Sequence, residues 1–258
     1  MKKSILLLLF AFLVLSSNAQ INKGALISVF GNRNLSDDPM DTKLYQALLK
    51  DSSFDISGTV NQFEALIQTE FINKFTFGFK PKNEIVTNEG YLALDSIVTY
   101  KSHIWETNET MKTFSWTNPL VPADGYINIA ALGIVTDKRA IKKAFEIFPD
   151  VDVVMIAYID FNLYDAVGFG GISSKKVYSY ANVKLFNSEG KRIFKLKERA
   201  SSSKGVTALG GFVLDPDKLK PMIFDASEQL FADMKSKMGK SLAKMAKKID
   251  KNSGEDEN

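Results

Sequence analysis

The stretch YDAVGFGGISSKK, residues 164–176, contains three glycines, two serines and two lysines, which are the residue types of a phosphate-binding loop. Such a loop follows a strand and ends in Gly-Lys-Ser/Thr at the start of a helix, whose dipole helps to hold the phosphate. No Gly-Lys-Ser/Thr lies in or directly after this stretch, and the residues after Lys175 and Lys176 alternate with the period of two typical of a strand. Glycine reaches positive φ angles freely, as a tight turn requires. The stretch therefore predicts the bend of a hairpin and no nucleotide site.

The chain has one histidine, His103, so a Ser–His–acid triad or a histidine-rich metal site would depend on it. Its neighbours, Tyr-Lys-Ser-His-Ile-Trp, match neither a nucleophile elbow nor a zinc motif, and we interpret it as a structural histidine. The absence of cysteine excludes disulfides, thiol catalysis, thiolate metal sites and an N-terminal lipid-modified cysteine. No cofactor and no metal are predicted.

Pairs of acidic residues are the remaining candidates for catalysis or calcium binding. A calcium loop needs more oxygen ligands at fixed spacing, and these pairs are interpreted as loop solvation and helix capping. Glycoside-type hydrolysis needs two carboxylates held across a cleft, and a single sequence leaves that alternative open. The pairs are Asp37-Asp38, Asp150/Asp152 and Asp215/Asp217.

The first nineteen residues have the pattern of an export signal. Lys2 and Lys3 form a basic n-region, Ile5 to Leu15 is an apolar run, and Ser17 and Ala19 occupy the small positions of a cleavage site. The run is shorter than the roughly twenty residues that cross a bilayer. We predict a signal peptide over residues 1–19, export to a Gram-negative periplasm, an outer-membrane association as an alternative, and no transmembrane segment after cleavage.

The charge balance gives no general attraction to nucleic acid. Lys and Arg number 33 against 30 Asp and Glu, and removal of the two signal lysines leaves 31 against 30, a net charge of about +1. Because nucleic-acid affinity depends on neutralised phosphates, a nearly neutral chain predicts no nucleic-acid partner.

Apolar periodicity predicts the elements of the first half of the chain. Ala25–Phe30 reads as a buried strand, and residues 63–75, with a three- and four-residue apolar spacing, read as a helix. Residues 84–86 resemble a short strand. Residues 88–128, which hold both tryptophans, read as an irregular insertion or long loop with some local helix. A further helix, capped by Asp41, carries Leu44, Leu48 and Leu49.

The second half is more regular. A helix over residues 136–148 precedes a strongly apolar strand over 151–161. Alternation over 177–186 and 192–200, separated by the turn Asn187–Gly190, completes an antiparallel meander of three strands. A long helix begins near Asp217. The predicted fold class is α/β (α+β), a mixed sheet flanked by helices, in one domain over residues 20–238 with a basic helical extension and polar tail over 239–258.

Two surfaces are candidates for partner binding. Aromatic residues cluster around the meander, and tyrosine is favoured at interfaces. The C-terminal helix has a lysine stripe that could contact an anionic membrane or a partner, or be a solvated flank. The candidate residues are Tyr164, Phe169, Tyr178 and Tyr180 on the strands, and Lys240, Lys244, Lys247 and Lys248 on the helix.

The order of elements resembles a known family. The strand GALISVF, the helix running into DVDVVMIAYIDF, the gap GFGG, the strand YSYANVKLFN, the turn SEGK and the strand RIFKLKERASS are similar to the periplasmic α/β domain of CsgG-like proteins. LpoB-type activators of penicillin-binding proteins and the N-terminal domain of TolB share this pattern. The resemblance covers Ala25 to Met238, with recurrent motifs at residues 152–159 and 183–191. The chain departs from the family in having no cysteine for acylation and no pair of membrane hairpins. Its residues 88–128 have no counterpart in the family.

The resemblance implies an envelope-associated binding role and carries no catalytic residues. We therefore predict a non-enzymatic periplasmic module that binds an envelope protein or self-associates. Two alternatives stay open: an exported carboxylate-dependent hydrolase, and a carrier that holds a small apolar ligand near Trp105 and Trp116.

Overall fold

The computed structural model describes residues 21–33, 35, 48, 51–94, 120–131, 135–136, 138–209 and 212–252. Several predictions fall outside these residues: the signal peptide, the Asp41 cap, Asp37-Asp38, His103, both tryptophans and the polar tail. Of the helix predicted after Asp41, Leu48 is described, and it is helical and buried.

The described strands and helices follow in this order. The strands are β1 Lys23–Asn32, β2 Gly78–Phe79, β3 Leu120–Pro122, β4 Ala130–Ala131, β5 Val135–Thr136, β6 Val153–Phe169, β7 Ile172–Phe186, β8 Arg192–Ser201, β9 Val206–Leu209 and β10 Phe212–Val213. The helices are α1 Ser57–Leu66, α2 Lys82–Val86, α3 Glu89–Leu92, α4 Lys138–Ile147 and α5 Leu219–Asn252.

Eight of the described strands form one mixed sheet, with the order β10-β9-β7-β6-β1-β2. Strand β3 also pairs with β1, and β8 also pairs with β7. β1 runs parallel to β2 and β6, and the other neighbours in this sheet are antiparallel. This arrangement confirms the predicted fold class, including the antiparallel meander β6–β7–β8.

The inner strands are apolar on both sides because helices cover both faces of the sheet there. Alternate residues of β6 belong to two separate cores. Met155 and Ala157 pack with α1 and α5, whereas Val154 and Ile156 pack with α3 and α4. The near-continuous apolar run predicted for this strand follows from that double burial.

The hairpin between β6 and β7 confirms the predicted bend. Gly170 and Gly171 are its two central residues, with φ angles of 60° and 83°, between the paired residues Phe169 and Ile172. Positive φ at both central positions matches the right-handed twist of the strands and favours glycine. The hairpin is longer than predicted, since β6 continues eight residues beyond Phe161.

Two expectations for the first half need correction. Residues 84–86 are part of α2, because Pro81 leads into a short helix that buries Ile85. The helix predicted over 63–75 ends as an α-helix at Leu66 and continues as a π-helical and a 3-10 turn. The apolar spacing of so few residues did not distinguish these conformations. Separately, the described residues within 88–128 include α3, which Asn88 caps, and β3, which pairs with β1.

Candidate functional site: the tyrosine–cation face

One face of β6, β7 and β8 carries tyrosines and basic side chains. Directly opposed residues in a sheet share a face, and Tyr180 is opposed by Asp160 on β6 and by Arg199 on β8. We call this surface the tyrosine–cation face. It comprises Tyr158, Asp160, Asn162, Tyr164, Lys176, Tyr178, Tyr180, Asn182, Lys184, Arg192, Lys195, Lys197 and Arg199.

Alternation along β7 leaves the part of this face around Tyr178 and Tyr180 partly accessible, while its reverse is buried. Val177, Ala181 and Val183 pack in the core beneath α5. Tyr178 and Tyr180, on the opposite face, are half-buried. On β8, the residues Lys195, Lys197 and Arg199 are exposed. The described helix α4 packs on β6 on this side, and Asn182, Lys184 and Phe186 of β7 are buried. The accessible part of the face therefore runs from Tyr164 and Tyr178 to the exposed residues of β8.

The tyrosine rings are ordered by contacts with one another. Tyr164 and Tyr178 stack with their ring centroids 3.8 Å apart and an interplanar angle of 13°. Tyr180 lies 5.7 Å from Tyr178 with its ring tilted by 55°. Such a row presents flat apolar area at a low cost in conformational entropy, because few torsions remain to be fixed on binding.

Each of three basic side chains lies over a tyrosine ring. Lys197 Nζ is 4.2 Å from the Tyr180 centroid, and the Arg199 guanidinium carbon is 5.2 Å from that of Tyr178. Lys184 Nζ lies 4.9 Å from the Tyr158 centroid. Cation–π contacts of this kind position a charge without neutralising it. The two exposed cations, Lys197 and Arg199, therefore remain able to attract an anion.

Lys184 is the buried member of this set, with 8% of its surface exposed. Burial, together with the nearby charges of Lys195 and Arg192, lowers the pKa of Lys184 to about 8. The pKa values of two tyrosines are raised. A hydrogen bond with Tyr164 raises the pKa of Tyr178, and burial raises the pKa of Tyr180. The face therefore combines neutral phenols with positive charge at neutral pH.

Replacing Lys184 with methionine should stabilise the protein by about 1 kcal/mol at pH 7, after discounting the pKa shift for solvent screening. The substitution removes a charge that the folded state desolvates and places beside two other cations. Between pH 8 and 10.5 the unfolded wild type binds the Lys184 proton more strongly than the folded state does, so wild-type stability rises there and the advantage of the variant shrinks. Urea unfolding at pH 7 and pH 10 measures both effects.

Exposed Lys197→Met is the matched control and should change stability little at either pH. If Lys184→Met destabilised the protein by more than Lys197→Met at pH 7, the desolvation of Lys184 would be contradicted.

The predicted site residues are only partly brought together. Tyr164, Tyr178 and Tyr180 are adjacent, as their position around the meander suggested. Phe169 lies on the same face at the hairpin tip, about 20 Å along the strand from Tyr178 at the usual rise per residue. Lys240, Lys244, Lys247 and Lys248 belong to α5, and their side chains lie outside the described residues.

Sequence reasoning missed the cations of β8. Lys195, Lys197 and Arg199 are spaced two apart, and this spacing places them on one face of a strand. The same alternation that predicted β8 could have identified them, but only the pairing of β8 with β7 shows that they lie beside the tyrosines.

Two of the acidic pairs have structural partners. Asp150 accepts from Lys23 Nζ at 2.6 Å and from Lys80 Nζ at 2.8 Å, and these hydrogen bonds lower the pKa of Asp150 to about 2. Asp152 accepts from the backbone N–H groups of Asn22 and Lys23, at 2.8 and 3.0 Å. Both carboxylates thus tie the start of β1 to the start of β6. Asp215 and Asp217 form ion pairs with Lys218 and Lys220, respectively.

The described part of the chain contains no group of three or more His, Cys, Asp or Glu residues arranged to hold a metal ion. Among the helices that are described, none combines the length and apolarity needed to span a bilayer.

Comparison with known proteins finds distant structural neighbours. No family model matches the chain, and the search of curated proteins found no match. The hypothetical protein CT253 from Chlamydia trachomatis is 11% identical, with 84% of this chain and 95% of that chain covered and a TM-score of 0.34. The lipoprotein GNA1162 from Neisseria meningitidis is 14% identical, with 82% and 99% covered and a TM-score of 0.26. These weak likenesses carry no argument about function, and the CsgG-like resemblance stays a prediction.

Proposed function

We propose that this protein is an exported, envelope-associated binding module without catalytic activity of its own, and that it contacts an acidic partner through the tyrosine–cation face. The observation that supports this proposal is the half-buried row of Tyr164, Tyr178 and Tyr180, with the exposed cations Lys197 and Arg199 held over the rings. The export pattern of residues 1–19 supports the location, and the CsgG-like order of elements supports a role in assembly.

Tyrosine and arginine are the residue types that contribute most to protein interfaces. They supply rigid apolar area with a polar edge, and they are enriched among the residues whose truncation weakens binding. The face carries six basic residues and one acid, Asp160, which also accepts from Asn32 Nδ2 at 3.1 Å. This imbalance favours an acidic partner surface and disfavours a basic one.

The environment of the acids supports a binding role over carboxylate catalysis. A hydrolase needs two carboxylates that face each other across a cleft, with one pKa raised to act as an acid. Asp150 instead has a lowered pKa and two lysine partners, and Asp152 is engaged by backbone N–H groups. These carboxylates serve to fix strand positions.

A photo-crosslinking amino acid at position 178 tests the proposal in cells that produce the full chain. We expect a discrete crosslinked product whose partner, identified by mass spectrometry, has an acidic surface. The double variant Lys197→Glu/Arg199→Glu should reduce the yield at least tenfold, because two attractive contacts become repulsive ones. Its circular dichroism should match the wild type, since both residues are exposed.

The crosslinker at Lys218, an exposed residue at the start of α5, is the control and should give no such product. Equal yields from both positions, or an unchanged yield in the charge-reversed variant, would contradict the assignment of this face.

A further inference from the structure

Five large apolar side chains are exposed together at one end of the sheet. They lie at the ends of two neighbouring hairpins, β6–β7 and β9–β10, where Ile172 is paired with both Phe169 and Leu209. We call this cluster the apolar tip. Its members, with their exposed fractions, are Val167 (76%), Phe169 (94%), Ile172 (56%), Leu209 (53%) and Leu214 (62%).

The apolar tip is the exposed side of strands whose other side packs in the core. On the reverse side of the same strands, Val206, Ala208 and Val213 are buried, and Val206 and Val213 pack in the core with Leu219. The tip is therefore held by folded structure, and its exposed side is not a gap in the core. A contiguous apolar patch that protrudes from a monomer marks a contact with another molecule or a membrane.

The residues behind the tip are arranged by polarity. Alternation along β7 places Ile172 on the same face as Lys176 and Tyr178. Lys176 lies four residues behind Ile172, about 13 Å at the usual rise, and is opposed by Tyr164. The further cations of the tyrosine–cation face follow. The order along the strand is thus apolar residues, then tyrosine and lysine, then a surplus of basic residues.

We infer that the apolar tip inserts into the outer layer of an anionic lipid bilayer. A bilayer presents the matching order, from hydrocarbon through an interface favoured by tyrosine to anionic headgroups. Interfacial segments bury their apolar face about 5–10 Å deep, so Lys176 reaches the headgroups when the tip is inserted. This inference goes beyond the proposed function because it adds a lipid surface to the protein partner.

Charge distinguishes the bilayer from a second copy of the chain as the occupant. Two copies that joined through their tips would bring two strongly basic faces together, since each carries six cations against Asp160. Like charges in close contact oppose association, whereas an anionic surface attracts both faces. The bilayer is therefore the occupant that the charges favour.

Vesicle flotation with the mature chain tests the inference. The probes are vesicles of phosphatidylethanolamine and phosphatidylglycerol at 3:1, compared with phosphatidylcholine alone. We expect binding to the anionic vesicles that weakens as salt rises. The variant Phe169→Ser/Leu209→Ser should lose at least tenfold in partitioning, since each buried apolar side chain contributes strongly to transfer from water. Both residues are exposed, so the thermal unfolding of this variant should match that of the wild type.

A fluorescent label reports the depth of insertion directly. The chain has no cysteine, so Ile172→Cys offers a single site for an environment-sensitive dye. Its emission should shift to the blue with the anionic vesicles. Glu189→Cys, exposed in the turn at the opposite end of β7, is the control and should show no shift.

Four outcomes would overturn the inference. The wild type could fail to float with anionic vesicles, or the serine variant could float as the wild type does. Replacing Lys240, Lys244, Lys247 and Lys248 with glutamine could abolish flotation while the tip variant keeps it, and the C-terminal helix would then be the anchor. The tip substitutions could instead convert a dimer into a monomer, which would identify a second copy as the occupant. Crosslinking at position 178 uses no vesicles, so failure of the protein-partner proposal is seen separately.

Discussion

Replacing Gly31 with valine should destabilise the protein by about 3 kcal/mol or more, because a side chain at this position overpacks a close contact between β1 and the start of α1. A Cβ atom at Gly31 would lie 2.6 Å from Val60 Cγ2 and 2.8 Å from Ile56 Cδ1. Both neighbours are fully buried and cannot move into solvent. Urea unfolding monitored by circular dichroism gives the free energy of unfolding and its change.

A compensating substitution makes the origin of this effect testable. Gly31→Ala alone should cost about 1–3 kcal/mol. Combined with Val60→Ala, which removes the nearest contacting atom, it should cost less than the sum of the two single changes. Gly78→Ala is the control, since a Cβ there has no atom within 4 Å. Additive costs, or a fully stable Gly31→Val variant, would show that α1 does not pack against β1 at this point.

Replacing Tyr91 with phenylalanine should destabilise the protein by about 2–4 kcal/mol, because it leaves one buried donor and one buried acceptor without partners. The Tyr91 hydroxyl donates to the Ile27 carbonyl at 2.8 Å and accepts from the Ile127 N–H at 3.0 Å. Tyr91 itself is fully buried, so water does not replace these bonds. The measurement is the change in unfolding free energy, at unchanged dependence on denaturant.

Two comparisons test whether the loss of stability comes from the buried hydrogen bonds of the Tyr91 hydroxyl. Tyr178→Phe removes a hydroxyl from the half-buried tyrosine–cation face and should change stability by less than about 0.5 kcal/mol. Ser28→Ala should behave more like Tyr91→Phe, since the Ser28 hydroxyl donates to the Ile127 carbonyl at 2.7 Å and is buried. A Tyr91→Phe variant no less stable than Tyr178→Phe would exclude the bridge between β1 and residues 127–129.

The elements that could be predicted from sequence are those whose local residue pattern is enough to determine the backbone conformation. Gly170 and Gly171 define a tight turn, and alternation on both sides of it predicts β6 and β7. The prediction of β6 stopped at Phe161 because the apolar run ends there, although the strand continues with one face toward solvent. Continuity of pairing, and not apolarity, sets the length of that hairpin.

The remainder depends on contacts between residues distant in sequence. The segment 84–86 is too short to show a periodicity, and its apolar residues read as a strand. In the structure, burial of Ile85 in the core formed with α3 and α4 stabilises a helical turn instead. Tyr91 lies in a segment without a clear pattern, and its partner Ile27 is 64 residues away. The same holds for the site: Tyr178 and Tyr180 were identified by type, but Lys197 and Arg199 join them only through the pairing of β8 with β7.

The parallel pairing of β1 with β6 also determines when this protein can finish folding. The register aligns Gly24 with Val153, so the first strand remains without its central neighbour until most of the chain has been synthesised. Strands β6 to β8 are joined by tight turns and can form within microseconds once present, whereas closing the longer loop carries a larger entropic cost. A nascent chain of this topology therefore cannot complete its central sheet until late in synthesis, and a translocon threads polypeptides that have not yet finished folding.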